Sequence, residues 1–196
     1  MGEILVHDYG RDPFVLLVAC LLSLRARDVV TYPVCCKLFG QIRTPSELVN
    51  FPRETLEEIL RPIGFYRVKA ATLQAVASYL LENFEGLVPQ SESDLLSIPG
   101  VGRKTANFMR AYAFQVPAIC VDTHVHRLAN LFGWVDTQTV EQTEHCLMQL
   151  VPSAWWARLN NLLVMWGQNV CRPIMSRTAY QEHLRYCPCA KRFYLE

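Results

Sequence analysis

No stretch of the 196-residue chain stays apolar for long enough to span a bilayer. A spanning helix needs about 20 apolar residues, and the most apolar run, Phe14–Leu22, gives way to Arg25, Arg27 and Asp28. That run reads as a buried helix, and no membrane partner is expected. The start is not expected to be a secretory signal either, because Glu3, His7, Asp8, Arg11 and Asp12 stand where a basic segment followed by an apolar one would be needed. An intracellular location is the expectation. The chain also lacks a strong charge of either sign: a formal net charge of +1 leaves nucleic-acid binding open, since a local basic stripe can sit on a nearly neutral body. Low-complexity segments are absent, and the 9 glycines and 11 prolines are scattered rather than clustered, so order is expected nearly throughout. Strand signals are scarce too. The single candidate, Val116–Val121, is short and contains Pro117, which suits a connection between helices better than a strand.

The chain does hold 8 cysteines. In an intracellular protein they argue for reduced thiols or a metal site rather than a disulfide framework. Cys20, Cys35, Cys36, Cys120 and Cys146 lie in apolar or helical stretches, where a cysteine ordinarily serves as a small buried hydrophobe. Only Cys171, Cys187 and Cys189 retain a metal hypothesis.

Helical punctuation recurs along the whole chain. Thr44-Pro45-Ser46-Glu47 offers an N-cap, a first-turn proline and a capping-box glutamate. Ser91-Glu92-Ser93-Asp94 and Thr139-Val140-Glu141-Gln142 repeat the signal, while Gly86 and Gly133 stand where helices should end. Between these marks, Leu56–Leu60, Ala70–Leu81 and Thr105–Phe114 place apolar residues at three- and four-residue spacing. The fold class is all-α. Ile63-Gly64-Phe65-Tyr66-Arg67 faintly echoes Pro99-Gly100-Val101-Gly102-Arg103 and reads as a loop near the site.

The segment Leu95–Ala106 joins an apolar helix end to a new helix through Ile98-Pro99-Gly100-Val101-Gly102-Arg103. Gly100 and Gly102 can adopt backbone angles closed to other residues, so that several N–H groups at a helix start converge on one anion. A DNA phosphate is the natural guest, held without reading of base sequence. A plain tight turn between packed helices is the bland alternative, and the Arg103-Lys104-Thr105-Ala106 continuation favours phosphate.

With that element in place, the chain resembles the helix-hairpin-helix DNA glycosylases, most closely those of the endonuclease III type. The resemblance rests on four matches in order: Leu21-Leu22-Ser23 with Arg25 and Asp28, Ile63-Gly64-Phe65-Tyr66 with Lys69-Ala70, Ile98–Asn107, and Val121-Asp122-Thr123-His124-Val125-His126-Arg127. It implies a two-lobed fold with the active-site cleft between the lobes. Residues 10–117 would form a helical-barrel lobe carrying the hairpin, and residues 118–196 together with 1–9 a second lobe without an intact cluster loop. It further implies a monomer of base excision repair, in the cytoplasm or with the nucleoid, acting on double-stranded DNA that carries a damaged base or abasic site.

The resemblance makes Lys104 the nucleophile and Asp122 its partner. A free lysine, with a pKa of about 10.4, is almost wholly protonated at neutral pH and needs desolvation or nearby positive potential to attack. A helix start supplies part of that potential, on the order of 1 kcal/mol. Asp122 could accept a proton or stabilise positive charge developing on the sugar. The implied reaction is attack on the sugar carbon bearing the base, base release, a Schiff base, and strand cleavage by β-elimination, with oxidised pyrimidines as substrates. Taken singly, Lys104 could be a phosphate-binding lysine and Asp122 a helix N-cap.

Extruding a base leaves a gap to be filled. Arg25 and Phe65 stand where the family often has glutamine and leucine: Arg25 could pair with the orphaned base and Phe65 could wedge by stacking. A phosphate-binding Arg and a core Phe are the alternatives. His124 and His126, at i and i+2 on a helix, do not share a face and are expected to pack rather than bind metal.

Relatives of this type end in a C-x6-C-x2-C-x5-C series that holds a four-iron cluster. Counted from Cys171, the remaining places fall on Thr178, Gln181 and Cys187, and neither Thr nor Gln replaces a thiolate on such a cluster. No cofactor is expected. Zinc on Cys171, Cys187, Cys189 and His183 is disfavoured by the single residue between Cys187 and Cys189. Packing of Tyr180, Leu184, Tyr186, Phe193 and Tyr194 is expected to hold the tail, with Arg185, Lys191 and Arg192 open to DNA. Two other functions compete: a monofunctional mismatch or adenine glycosylase, opposed by Lys104 and Asp122-Thr123-His124, and a non-catalytic hairpin clamp, opposed by the length of the match.

Overall fold

Asp12 begins the architecture by capping the most apolar helix: its carboxylate accepts the Phe14 and Val15 N–H groups at 2.9 and 3.0 Å. In the computed structural model, which describes residues 2–172, that helix is α2 (Pro13–Ser23), and every residue from Phe14 to Leu22 is buried. Around it, in chain order, stand α1 (Gly2–Tyr9), α3 (Asp28–Phe39), α4 (Pro45–Asn50), α5 (Arg53–Leu60), α6 (Tyr66–Phe84), α7 (Glu92–Ser97) and α8 (Arg103–Phe108). The start signals read correctly. Thr44 and Glu47 close a capping box on α4, and Ser91 Oγ accepts the Asp94 N–H on α7. Two departures stand out. The helical segment Ala70–Leu81 extends to Tyr66–Phe84, and Thr105–Phe114 does not continue as one α-helix. Its second half, Met109–Ala113, is a π-helical turn.

Two compact units divide at Val116–Pro117. The first has a core built on α2 with Leu38, Leu48, Leu56, Leu60, Leu73 and Leu80. Its α1 corrects the expectation for residues 1–9. Leu5 is fully buried in this first core, and Gly2 approaches the Phe108 and Tyr112 rings so closely that a Cβ would lie 2.8 Å from Phe108 Cε2. Residues 2–9 therefore belong with the first unit, not the second.

The second unit holds α9 (Thr123–Leu131), α10 (Val140–Leu150), a 3-10 turn (Ser153–Trp155) and α11 (Trp156–Asn169). Its own core joins Ile119, Val121, Val125, Leu128, Leu147, Leu159 and Leu163. Thr139 and Gln142 form the capping box that opens α10. Residues 116–121 are a connection, and no strand occurs among the described residues. Nor is any described helix long and apolar enough to cross a membrane.

Candidate active site

Pro99 and Gly100 make the hairpin turn. The Val101 N–H closes it on the Ile98 carbonyl at 3.0 Å, with Gly100 left-handed at φ +77°, as a turn with Pro second and Gly third requires. A Cβ on Gly100 would also press to 3.0 Å from the Thr72 methyl. Gly102 differs from expectation: its φ of −98° is open to any residue, and nothing lies within 4 Å of where its Cβ would be. Conformation does not demand glycine there. Ile98 and Val101 are buried anchors, so only their backbone could face a ligand, and the Val101 N–H is already spent within the turn. Glu92 of α7 is tied by an ion pair at 2.9 Å to Arg110, in the π-helical turn that follows α8.

Gly102 caps α8, and Arg103 and Lys104 occupy its exposed first turn. The opposite side of that turn is inward. Thr105, Ala106 and Asn107 are buried, and the Cys20 thiol of α2 donates weakly to Thr105 Oγ1 at 3.9 Å. Burial pushes the Cys20 thiol up to about 11, opposed by the Thr105 hydrogen bond and the nearby Lys104 charge. It is an inert packing group, as are the buried Cys35 and Cys120; Cys36 and Cys146 are half-buried.

Arg25 and Phe65 prove alike in a way their sequence neighbourhoods did not announce. Both are non-glycine residues in the left-handed region, at φ 55° and 59°, a conformation that costs an ordinary side chain roughly 1–2 kcal/mol. Arg25 is exposed and Phe65 is 70% exposed, which removes the core-phenylalanine alternative. Together with Leu24, Val68, Lys69 and Gly100 they line one pocket of about 310 Å³. Lys69 lies between the two turns, with Nζ donating to the Leu22 and Leu24 carbonyls at 2.6 and 2.8 Å. Burial lowers its pKa, with the neighbouring Cys35 acting the other way. No local signal could have announced this, because its acceptors lie 47 and 45 residues away in sequence.

In the second unit, Asp122 is the N-cap of α9. Its Oδ1 accepts the His124 and Val125 N–H groups, each at 3.0 Å, so the capping alternative is realised and fixes the carboxylate. The two histidines pack, as expected. His126 Nδ1 pairs with Thr143 Oγ1 at 2.6 Å. The His124 ring lies against Gly167 of α11, where a Cβ would stand 2.6 Å from Nδ1, and that nitrogen is buried with no partner.

Cys171 is buried in the second core and accepts from Arg127 Nη1 at 3.4 Å, while its carbonyl accepts from Arg127 Nη2. In sequence, the next two places of the C-x6-C-x2-C-x5-C series after this packed thiol are Thr178 and Gln181, neither of which supplies a thiolate. Thr178, Gln181, His183, Cys187 and Cys189 lie outside the described residues, as do Tyr180, Leu184, Arg185, Tyr186, Lys191, Arg192, Phe193 and Tyr194.

Comparison with known proteins agrees with this architecture. The family described as HhH-GPD superfamily base excision DNA repair protein matches residues 18–153. Endonuclease III of Thermotoga maritima is 43% identical over 162 residues, covering 83% of this chain and 76% of that one. A solved non-covalent Endonuclease III–DNA complex superposes with a TM-score of 0.81 at 35% identity, covering 92% of this chain and 85% of that one. A trapped Endonuclease III–DNA covalent intermediate gives 0.81 at 33% identity, covering 97% and 92%. The chain therefore belongs to the HhH-GPD superfamily of base excision DNA repair proteins and, within it, is a DNA glycosylase/lyase of the Endonuclease III family.

Proposed function

We propose that the protein removes oxidised pyrimidines from double-stranded DNA inside the cell, as a monomer, with Lys104 as nucleophile and Asp122 as its partner. The observation that carries this reading is the placement of Lys104, an exposed lysine in the first turn of α8, one residue beyond the hairpin that ends at Gly102 and Arg103. Endonuclease III has been trapped covalently on DNA, which supports a covalent step here. The Lys104 amine, once deprotonated, attacks the sugar C1′. The bond to the base breaks and its electron pair leaves with the base. Ring opening gives a Schiff base, loss of a C2′ proton follows, and the 3′ phosphate departs by β-elimination. Asp122, held by the first turn of α9, takes up a proton or balances the positive charge on the sugar. The hairpin from Ile98 to Arg103 grips the phosphate backbone, and Arg25 and Phe65 enter the stack when the lesion leaves it. No iron–sulfur cluster takes part, because the donor set does not fit one.

The test is single-turnover strand cleavage of a duplex carrying one oxidised pyrimidine. Wild type is expected to release the base and nick the strand. Lys104→Ala should lose both by at least about 10³-fold, and Asp122→Asn should slow both while still binding DNA. Base release without nicking by the wild type would sink the lyase half of the proposal.

A further inference from the structure

We propose that Lys69 is a positioning residue that couples the turn carrying Arg25 to the turn carrying Phe65, so that the two side chains enter DNA at one fixed spacing. The inference rests on the reading of Arg25 and Phe65 given above. Lys69 grips both turns. Its backbone N–H donates to the Phe65 carbonyl at 3.0 Å, forming the first hydrogen bond of α6. Its ammonium reaches across to α2 and donates to Leu22 and Leu24, the latter being the residue directly before Arg25. These carbonyls lie at the end of α2, where acceptors lack helical partners and a cation is favoured. The turn itself is closed on the other side by the Ala26 N–H on the Ser23 carbonyl at 3.0 Å.

Two left-handed side-chain-bearing residues need such support, because each conformation persists only where its surroundings impose it. Phe65 caps α6 without a side-chain hydrogen bond. One residue bonded to both turns lets force on either probe reach the other without passing through the hydrophobic core. The apolar stem of Lys69 also lines the pocket under the two turns, so its charge is held over apolar surface with its donors directed to carbonyls.

The experiment compares one oxidised pyrimidine in a fully paired duplex with the same lesion in an unpaired bubble, where no extrusion is needed, under single-turnover conditions. Lys69→Met keeps the stem and removes the donors, Lys69→Gln is a milder version, and Lys69→Arg keeps donors. The expected result is a paired-to-bubble rate ratio about tenfold or more below wild type for Met and Gln, with recovery to within about threefold for Arg. Fluorescence of a 2-aminopurine opposite the lesion should rise on binding wild type and fail to rise with Met. A loss shared equally by both substrates, or an unchanged ratio, overturns the inference. Arg25→Ala and Phe65→Ala separate the two readings. If they lower the ratio and Lys69→Met does not, the coupling fails alone. If they leave it unchanged, the reading of the probes fails.

Discussion

The two glycines of the hairpin should respond differently to the same substitution. Gly100→Ala forces an alanine to φ +77° and sets its Cβ 3.0 Å from the Thr72 methyl. The backbone term alone is roughly 1–2 kcal/mol, and the contact adds a smaller amount because Thr72 must give by a few tenths of an ångström. At about 2–4 °C per kcal/mol for a chain of this size, the melting temperature should fall by about 3–8 °C. Gly102→Ala meets no neighbour and needs no unusual angle. The lower entropy of the unfolded chain helps it by about 0.4–1 kcal/mol, and the weaker capping by Ala opposes it by a similar amount, so stability should stay within about 1 kcal/mol of wild type. Its cost should appear on DNA instead, because a phosphate close to the backbone leaves no room for a methyl. Affinity should drop about tenfold, or about 1.4 kcal/mol. Thermal melts paired with fluorescence anisotropy on an abasic-site duplex read both quantities. If Gly102→Ala melts as low as Gly100→Ala, or binds DNA like wild type, the glycine is not there for a ligand.

Other consequences follow from packing and burial. Gly167→Ala should destabilise by about 1–3 kcal/mol despite the higher helix propensity of alanine, because the new methyl would stand 2.6 Å from His124 Nδ1; urea denaturation measures it, and a gain in stability would contradict the packing. Burial raises the thiols of Cys20 to about 11 and Cys35 to about 12 from an ordinary 9.0. Below pH 9 their contribution is fully present; above it the unfolded chain releases protons that the folded chain keeps, so stability should fall as pH rises toward 11. Urea midpoints between pH 8 and 10.5 should show that slope, flattened in Cys20→Ala and Cys35→Ala, and a slope unchanged in both variants would refute the assignment.

Much of this was legible in sequence because the relevant signals are local. Thr44, Ser91 and Thr139 announce helices through side chains that cap their own backbone, and Pro99-Gly100 announces a turn through the angles those residues allow. Phe14–Leu22 is buried because its composition permits nothing else. What stayed hidden depends on residues far apart in the chain. The loop reading of Ile63–Arg67 allows Phe65 to be exposed, but nothing near it says that a non-glycine residue there will be left-handed, and nothing near Lys69 points to the end of α2. The π-helical turn at Met109–Ala113 hides behind a three-four apolar spacing that a wider helix also satisfies. A short helix such as α1, with one fully buried leucine, carries no mark in sequence of which core receives it. Two glycines in one turn suggest two special conformations, but only Gly100 has one.

On the proposed mechanism, Lys104 forms the bond to DNA. Reducing a reaction on an abasic-site duplex with borohydride, digesting the adduct and locating the modified peptide by mass spectrometry tests it directly. A single sugar-bearing peptide with the addition on Lys104 is expected, and no adduct from Lys104→Ala. An adduct on Lys69, on another lysine or on the terminal amine, or one that survives Lys104→Ala undiminished, would contradict it.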